Sequence, residues 1–195
     1  MTIGSIVLAV GNWTQPRIDW QREQAQFALL QQLLPNHVAT TLRLHSTELS
    51  VPGQFQTDAP ITVHRAIQGD QVLVVIFAYS LHDGYNGDIE LLVAINATGQ
   101  LIGVRVTRHQ ETPGLGDAIE LRNSDWIRQF ENLNLGTINA RDWQIKRKNG
   151  RFDQLTGATI TTGAMLRAIR RAADYYLANS DTLLRVPAAT VRDNE

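Results

Sequence analysis

The chain has no cysteine and no long apolar run, and its positive and negative charges nearly balance. Without cysteine it has no disulfide, no thiolate nucleophile and no cysteine-ligated metal or iron–sulfur cluster, so redox chemistry would need an added organic cofactor. A formal net charge of -1 leaves no positive excess to neutralise phosphates, and we expect no nucleic acid partner. No group of His, Asp and Glu has the spacing of metal ligands, and we expect no metal.

The first 16 residues carry no charged side chain, and their apolar part, residues 3–10, is too short to cross a membrane. A membrane helix needs roughly 20 mostly apolar residues, and a signal peptide has basic residues ahead of its apolar run. Two interpretations remain. The segment is either a buried turn or loop, or the outer end of a transmembrane helix.

The 195 residues, 43% hydrophobic and 19% charged, suit one globular domain. Helical spacing of apolar residues predicts an amphipathic helix over residues 19–34, and residues 38–59 are predicted to be loop with one short strand. Runs rich in Val and Ile then predict an antiparallel meander. These strands are Ile61–Ile67, Val72–Tyr79, Ile89–Asn96 and Leu101–Arg108.

Two of these strands carry information about their surroundings. Val72–Ala78 is apolar on both pleat faces, which predicts a central strand covered on each side. In residues 104–107 valines alternate with Arg105 and Thr107, which predicts one face in water.

The remainder is predicted to be rich in helix. Ser124 is expected to cap a short helix over residues 125–130, and Trp143–Lys148 is expected to be a last strand. A helix is predicted over Ala164–Leu177 with Thr161 or Thr162 as its N-cap, and residues 181–195 are expected to be a flexible tail. The fold class is therefore α+β, an antiparallel sheet with packed helices.

Two segments between these elements contain groups suited to binding a ligand. In Glu111–Gly116 two glycines flank one leucine after a proline, which makes a rigid turn where backbone can approach a planar ligand. Asp153–Thr159 offers hydroxyls and N–H groups next to a helix N-terminus, which favours a phosphate. Neither matches a P-loop or a dinucleotide fingerprint. Each segment alone is also explained by a structural role, as a tight turn or a capped helix start.

Longer sequence matches show that both segments resemble parts of one known domain. Residues 153–159, DQLTGAT, resemble the flavinylation signature D-x-x-S/T-G-A-T, and residues 109–117, HQETPGLGD, resemble the H-x-E-T-P-G-L-G-D segment of the same domain. Residues 83–93, DGYNGDIELLV, and residues 120–127, ELRNSDWI, also resemble parts of it. Together they resemble the FMN-binding domain of the G subunit of the Rnf (Rsx) electron-transport complex, over about residues 24–177.

The resemblance implies a covalent cofactor. The FMN phosphate would form a phosphoester with the hydroxyl of Thr159, installed by a separate metal-dependent flavin transferase that takes the flavin from FAD. That transferase would read Asp153. Thr156 and Gly157 would shape the loop, and Ala158 would leave room for the incoming active site.

The resemblance also implies contacts to the flavin ring. The expected contact residues are Tyr85, Glu111, Thr112, Gly114 and Leu115. Glu111 and Thr112 would tune the ring through hydrogen bonds, and Tyr85 would stack. His109 has two open interpretations, a contact to the ring or a cap on the strand end. We expect Trp126, Trp143 and Phe152 to lie in the core.

The implied function is a covalent-FMN electron carrier within a membrane-bound ion-translocating complex linked to ferredoxin and NAD, a redox subunit and not a stand-alone catalyst. Its partners would be the other Rnf/Rsx subunits and the flavin transferase. Residues 1–18 would end an N-terminal membrane anchor, and residues 19–180 would form the flavin domain on the periplasmic side of the bacterial inner membrane. The alternatives are the C subunit of a sodium-translocating NADH:quinone oxidoreductase and a non-flavinylated assembly or interaction domain.

Overall fold

The computed structural model describes residues 28–34, 43–57 and 59–187. The chain divides into two compact units, residues 1–32 and 33–195. In the first unit residues 28–32 are helical, in agreement with that part of the helix expected over 19–34. The rest of that prediction lies outside the described residues, as does the anchor expected in residues 1–18. None of the helices in the described ranges is long and apolar enough to cross a membrane.

The second unit contains a six-stranded antiparallel sheet in which every strand pairs with its neighbours in sequence. The expected meander is confirmed, and each of its four strands begins and ends within two residues of the prediction. The short strand expected within residues 38–59 is present, whereas the last strand of the sheet was not predicted. The strands are β1 (Arg43–Leu49), β2 (Ile61–Gln68), β3 (Gln71–Leu81), β4 (Ile89–Asn96), β5 (Gln100–Arg108) and β6 (Leu133–Asn134).

The central position of β3 is also confirmed. It lies between β2 and β4, and the neighbouring residues Val75 and Ile76, which point to opposite faces, are both fully buried. A long C-terminal helix, Thr159–Leu183, packs on one of these faces. The hydroxyl of Tyr79 on β3 donates a hydrogen bond of 2.7 Å to the carbonyl of Ala168 in that helix.

The prediction that β5 has one face in water is wrong for Arg105, which is only 7% exposed. Its guanidinium donates to the carboxylate of Glu131 at 3.2 Å and to the carbonyl of Val104 at 2.8 Å. Gly103 lies beside this pair, and a Cβ there would stand at ordinary contact distance, 3.4 Å from the Arg105 guanidinium and 3.6 Å from Cγ of Glu131. The charge is therefore buried with a partner that lies far away in sequence.

Ser124 caps a short helix as predicted, since its hydroxyl accepts the N–H of Trp126 at 3.1 Å, and that helix is a 3-10 helix over Asp125–Phe130. The strand expected over Trp143–Lys148 is wrong. Ile145 forms a single bridge to Phe152, and Lys146–Lys148 is a 3-10 turn. The turn ends at Asn149 in the left-handed region, with φ 60, so the chain reverses before a strand can form.

The C-terminal helix begins at Thr159, earlier than expected, and neither Thr161 nor Thr162 is its N-cap. Thr162 lies inside the helix, where its hydroxyl donates to the carbonyl of Ala158 at 2.9 Å and accepts the N–H of Leu155 at 3.0 Å. These two bonds tie the loop to the first turn of the helix. Thr159 is consequently part of the helix itself.

The helix also ends later than predicted. It has a kink at Asn179, where φ is -128, and it continues past Asp181, the expected start of the tail, to Leu183. Leu183 is 2% exposed, and its carbonyl accepts a hydrogen bond of 2.9 Å from Arg65 on β2. These contacts explain the extension.

Candidate functional site

A buried carboxylate joins three segments that are distant in sequence. Glu111 follows β5 and is 4% exposed. One of its oxygens accepts the backbone N–H of Asn86, from the loop after β3, at 3.1 Å. The other accepts the hydroxyl of Thr161, in the first turn of the C-terminal helix, at 2.6 Å. Glu111 thereby fixes both loops against the start of the helix.

Two glycines make room for this carboxylate. A Cβ on Gly84 would lie 2.8 Å from one oxygen of Glu111, and a Cβ on Gly116 would lie 2.7 Å from the other. Real Cβ atoms do not approach oxygen this closely without displacing it. Both motifs that contain these glycines therefore depend on the absence of a side chain at one position.

The turn after Glu111 has the rigid form that its sequence predicts. The carbonyl of Thr112 accepts the N–H groups of Leu115 at 3.2 Å and of Gly116 at 3.0 Å, and Gly114 has φ 76. Leu115 is 44% exposed, and its Cδ2 lies 2.9 Å from where a Cβ on Gly157 would stand. The structure thus brings the two sequence motifs into direct contact.

Thr159 is exposed at the first position of the C-terminal helix. Ala158, the residue before it, has no side-chain acceptor for the first N–H groups of the helix. These groups and the helix dipole favour an anion at this end.

Thr159 also lines a groove of about 540 Å³, within the size range of roughly 300–1,000 Å³ typical of small-molecule sites. One wall of the groove is the C-terminal helix, and the other is the loop that contains the 3-10 turn. The apolar lining residues are Trp143, Ile145, Ile160 and Leu166, and the polar ones include Gln144, Lys148 and Arg167.

Positive charge lies along this groove. Arg167 donates two hydrogen bonds, of 3.0 and 2.6 Å, to one carboxylate oxygen of Asp83. Arg171 lies one turn further along the helix, where burial lowers its pKa and the charge of Asp83 opposes that shift. The second oxygen of Asp83 and one terminal nitrogen of Arg171 are buried and have no hydrogen-bond partner among the described residues.

Asp153 lies apart from the Glu111 cluster. Its backbone is held by the side chain of Gln129 at 2.7 Å and by the indole of Trp126 at 2.7 Å. Its carboxylate is 62% exposed and pairs with Lys146 at 2.8 Å. Thr156 is exposed nearby, and Tyr85 is exposed in the loop after β3.

His109 uses both ring nitrogens inside the protein. Nδ1 accepts the N–H of Glu111 at 3.0 Å, which assigns the proton to Nε2, and Nε2 donates to Glu120 at 2.7 Å. Arg122 also pairs with Glu120. This arrangement matches the interpretation of His109 as a cap on the strand end.

Sequence analysis did not find several residues of this site. Thr161 and Asn86 hold Glu111 from positions 50 and 25 residues away, which no local pattern reveals. Arg167 was also missed, because the helix was expected to begin at Ala164 and Thr159 was not placed on the same helix. Trp143 was expected to be core, and it is buried and also lines the groove.

Comparison with known proteins identifies the class. The model of the FMN-binding domain family matches residues 84–174, which contain the Glu111 cluster, the groove and Thr159. The G subunit of an ion-translocating oxidoreductase complex from Shewanella baltica is 37% identical over 183 residues, 93% of this chain and 86% of that protein. Subunits of the same name from Pseudomonas aeruginosa and Pseudoalteromonas atlantica are 40% and 38% identical, over 92% and 87% of this chain and 84% and 80% of theirs.

These similarities extend over most of each chain at identities that establish common descent. The chain belongs to the family of G subunits of ion-translocating oxidoreductase complexes. The resemblance seen in the sequence motifs is thereby confirmed.

Proposed function

We propose that this chain carries FMN covalently on Thr159 and serves as an electron-carrier subunit of an ion-translocating redox complex. One observation carries the proposal. The hydroxyl of Thr159 is exposed at a helix N-terminus and opens onto a groove of about 540 Å³ within the FMN-binding domain. Bound FMN supplies the capacity to accept and release electrons.

The residues of the groove fit both parts of FMN. A phosphate on Thr159 would meet the free N–H groups and the positive end of the helix. Lys148 and Arg167 line the same groove and supply cations. Trp143, Leu166 and their apolar neighbours form walls suited to a planar ring.

Among the described residues, the groove lining offers no activation for the hydroxyl that would form the phosphoester. The charged side chains that line the groove are Lys148 and Arg167, and the lining contains no carboxylate or imidazole that could act as a base. A threonine hydroxyl is a weak nucleophile without such a base, so the proposal assigns the chemistry to a separate flavin transferase. The exposed carboxylate of Asp153 is the recognition point we propose for it.

The names of the relatives support the wider role. They are subunits of ion-translocating oxidoreductase complexes, so we propose that the other subunits of such a complex are partners of this chain. The proposal includes electron transfer linked to ferredoxin and NAD. It also places the flavin domain, residues 19–180, on the periplasmic side of the inner membrane, with residues 1–18 as the end of the anchor.

The test is in-gel fluorescence of the denatured protein after co-expression with a flavin transferase. Wild type and Thr159→Ser should give a fluorescent band, because both retain a hydroxyl. Thr159→Ala should give none. Thr182→Ala is the matched control, since it removes an exposed threonine hydroxyl of the same helix that lies outside the motif and the groove lining, and its band should persist.

Two results would contradict the proposal. A band in Thr159→Ala would move the attachment to another hydroxyl. The absence of a band in every variant, with the transferase active on a positive control, would favour a non-flavinylated interaction domain.

A further inference from the structure

One face of the C-terminal helix presents three groove-lining residues in a row. Thr159, Gly163 and Arg167 are spaced four residues apart, so their Cα atoms follow one side of the helix over about 12 Å, each about 40° further round than the last. The row begins at the proposed attachment point and ends at a cation. This row is part of the helix wall of the groove, and we call it the floor on which a ligand would rest.

Gly163 stands in this floor although glycine is unfavourable inside a helix. A Cβ at this position would lie 3.1 Å from a terminal nitrogen of Arg167. The guanidinium therefore extends back over Gly163 toward Thr159, the direction in which long helical side chains point. A methyl group at this position would displace the guanidinium by a few tenths of an ångström.

The position of this cation is fixed by the fold. Asp83, from the loop after β3, holds Arg167 through two hydrogen bonds to one carboxylate oxygen. Arg171 approaches the same carboxylate from the next turn. Two arginines face one aspartate, so the cluster has a net positive charge beside the groove.

We propose that the floor formed by Gly163 and Arg167 seats the ring of the flavin and that Arg167 raises the reduction potential of the flavin. This inference rests on the proposed attachment at Thr159. Two-electron reduction of a bound flavin with uptake of one proton would add one negative charge to the ring, which the guanidinium of Arg167 would stabilise. The complex supplies the electrons, and dithionite supplies them in the experiment below. Asp83 is a positioning residue because it acts through Arg167.

The experiment is a potentiometric titration of the purified flavinylated protein. Arg167→Gln should shift the midpoint potential to a more negative value by at least the equivalent of a tenfold change in the equilibrium constant, which is about 30 mV for a two-electron couple. Arg167→Lys should retain most of the wild-type potential. Arg170→Gln is the matched control, since Arg170 lies on the same helix and pairs with Asp174 away from the groove lining, and its potential should not change.

Two further variants separate charge from position. Asp83→Asn removes a negative charge, which alone would raise the potential, and it also frees Arg167. We expect a net negative shift, and a positive shift would overturn the positioning role of Asp83. Gly163→Ala should shift the potential in the same direction as Arg167→Gln. The thermal midpoint of the unflavinylated variant should be no lower than that of wild type, because alanine favours the helix.

The outcomes distinguish this inference from the proposed function. If the wild type carries no covalent flavin, the proposed function fails. If it carries flavin and Arg167→Gln matches Arg170→Gln in potential, the inference fails and the proposed function stands. Loss of flavin in Arg167→Gln alone, with uptake retained in Arg167→Lys, would support a cation in the flavin seat. Loss of flavin in both Arg167→Gln and Arg167→Lys, with unfolding unchanged in each, would overturn the electrostatic role of Arg167.

Discussion

Replacement of Glu111 by alanine should destabilise the chain even when no flavin is attached. The substitution leaves the hydroxyl of Thr161, which is 1% exposed, without its acceptor. A buried donor without a partner costs about 1–3 kcal/mol. The N–H of Asn86 also loses its acceptor, but this loop is exposed and water can replace the bond at a cost below about 1 kcal/mol. We expect the free energy of unfolding to fall by about 2–3 kcal/mol.

The measurement is urea unfolding of the unflavinylated chain, followed by tryptophan fluorescence. With an m value of about 2 kcal/mol per M, the midpoint should fall by about 1–1.5 M at constant m. Glu111→Gln should lower the free energy of unfolding by less. The glutamine side chain has the shape of glutamate and keeps one oxygen as an acceptor, while its NH2 group is a donor. Glu90→Ala is the control, since this carboxylate is 42% exposed and pairs with an exposed arginine, and its effect should stay below about 1 kcal/mol.

The reasoning is refuted if Glu111→Ala moves the midpoint no further than Glu90→Ala. A double-mutant cycle with Thr161→Val gives a second check. Thr161→Val removes the donor and retains the shape of the side chain, so the two changes should not add. An interaction energy below about 0.5 kcal/mol would show that the hydrogen bond between the two side chains does not stabilise the site.

Two further predictions concern stability away from the Glu111 cluster. Gly150→Ala should lower the free energy of unfolding by about 1–3 kcal/mol or more, since a Cβ there would overlap the backbone of Gln144, and denaturant unfolding checks this. Burial lowers the pKa of His64 below its ordinary 6.5, so the unfolded state binds the proton more readily. Stability should therefore fall as pH drops below 6.5, by at most about 1.4 kcal/mol per pH unit from this group. His64→Gln should reduce that slope, and an unchanged slope would contradict the assignment.

The sheet could be predicted from sequence because the hydrophobic pattern that indicates each strand lies within the strand itself. Val75 and Ile76 lie within a run that is apolar on both faces, and only a central strand suits such a run. The strand expected over Trp143–Lys148 was wrong for a reason that lies outside the run. Asn149 adopts the left-handed conformation and reverses the chain, which the apolar and basic pattern before it does not encode.

The site could be predicted from sequence only in part. The motifs identified Glu111 and Thr159 as members of one domain, but not the bond between Glu111 and Thr161, which closes a loop of 50 residues. The start of the helix was misplaced because Thr162 has the residue type of an N-cap and instead bonds to Ala158 and Leu155 from within the helix. Distant pairs such as Arg105 and Glu131 follow from tertiary packing and have no sequence period.

The order of the strands has a consequence for folding. Each strand of the meander pairs with the next, so the sheet forms through contacts that are short in sequence and fast to make. The site depends on the slowest kind of contact, since the bond from Asp83 to Arg167 spans 84 residues and the bond from Glu111 to Thr161 spans 50. Thr159 reaches its place in the groove only when the C-terminal helix has packed beside the loop that contains the 3-10 turn. A maturing enzyme that requires this geometry would act on folded chains alone.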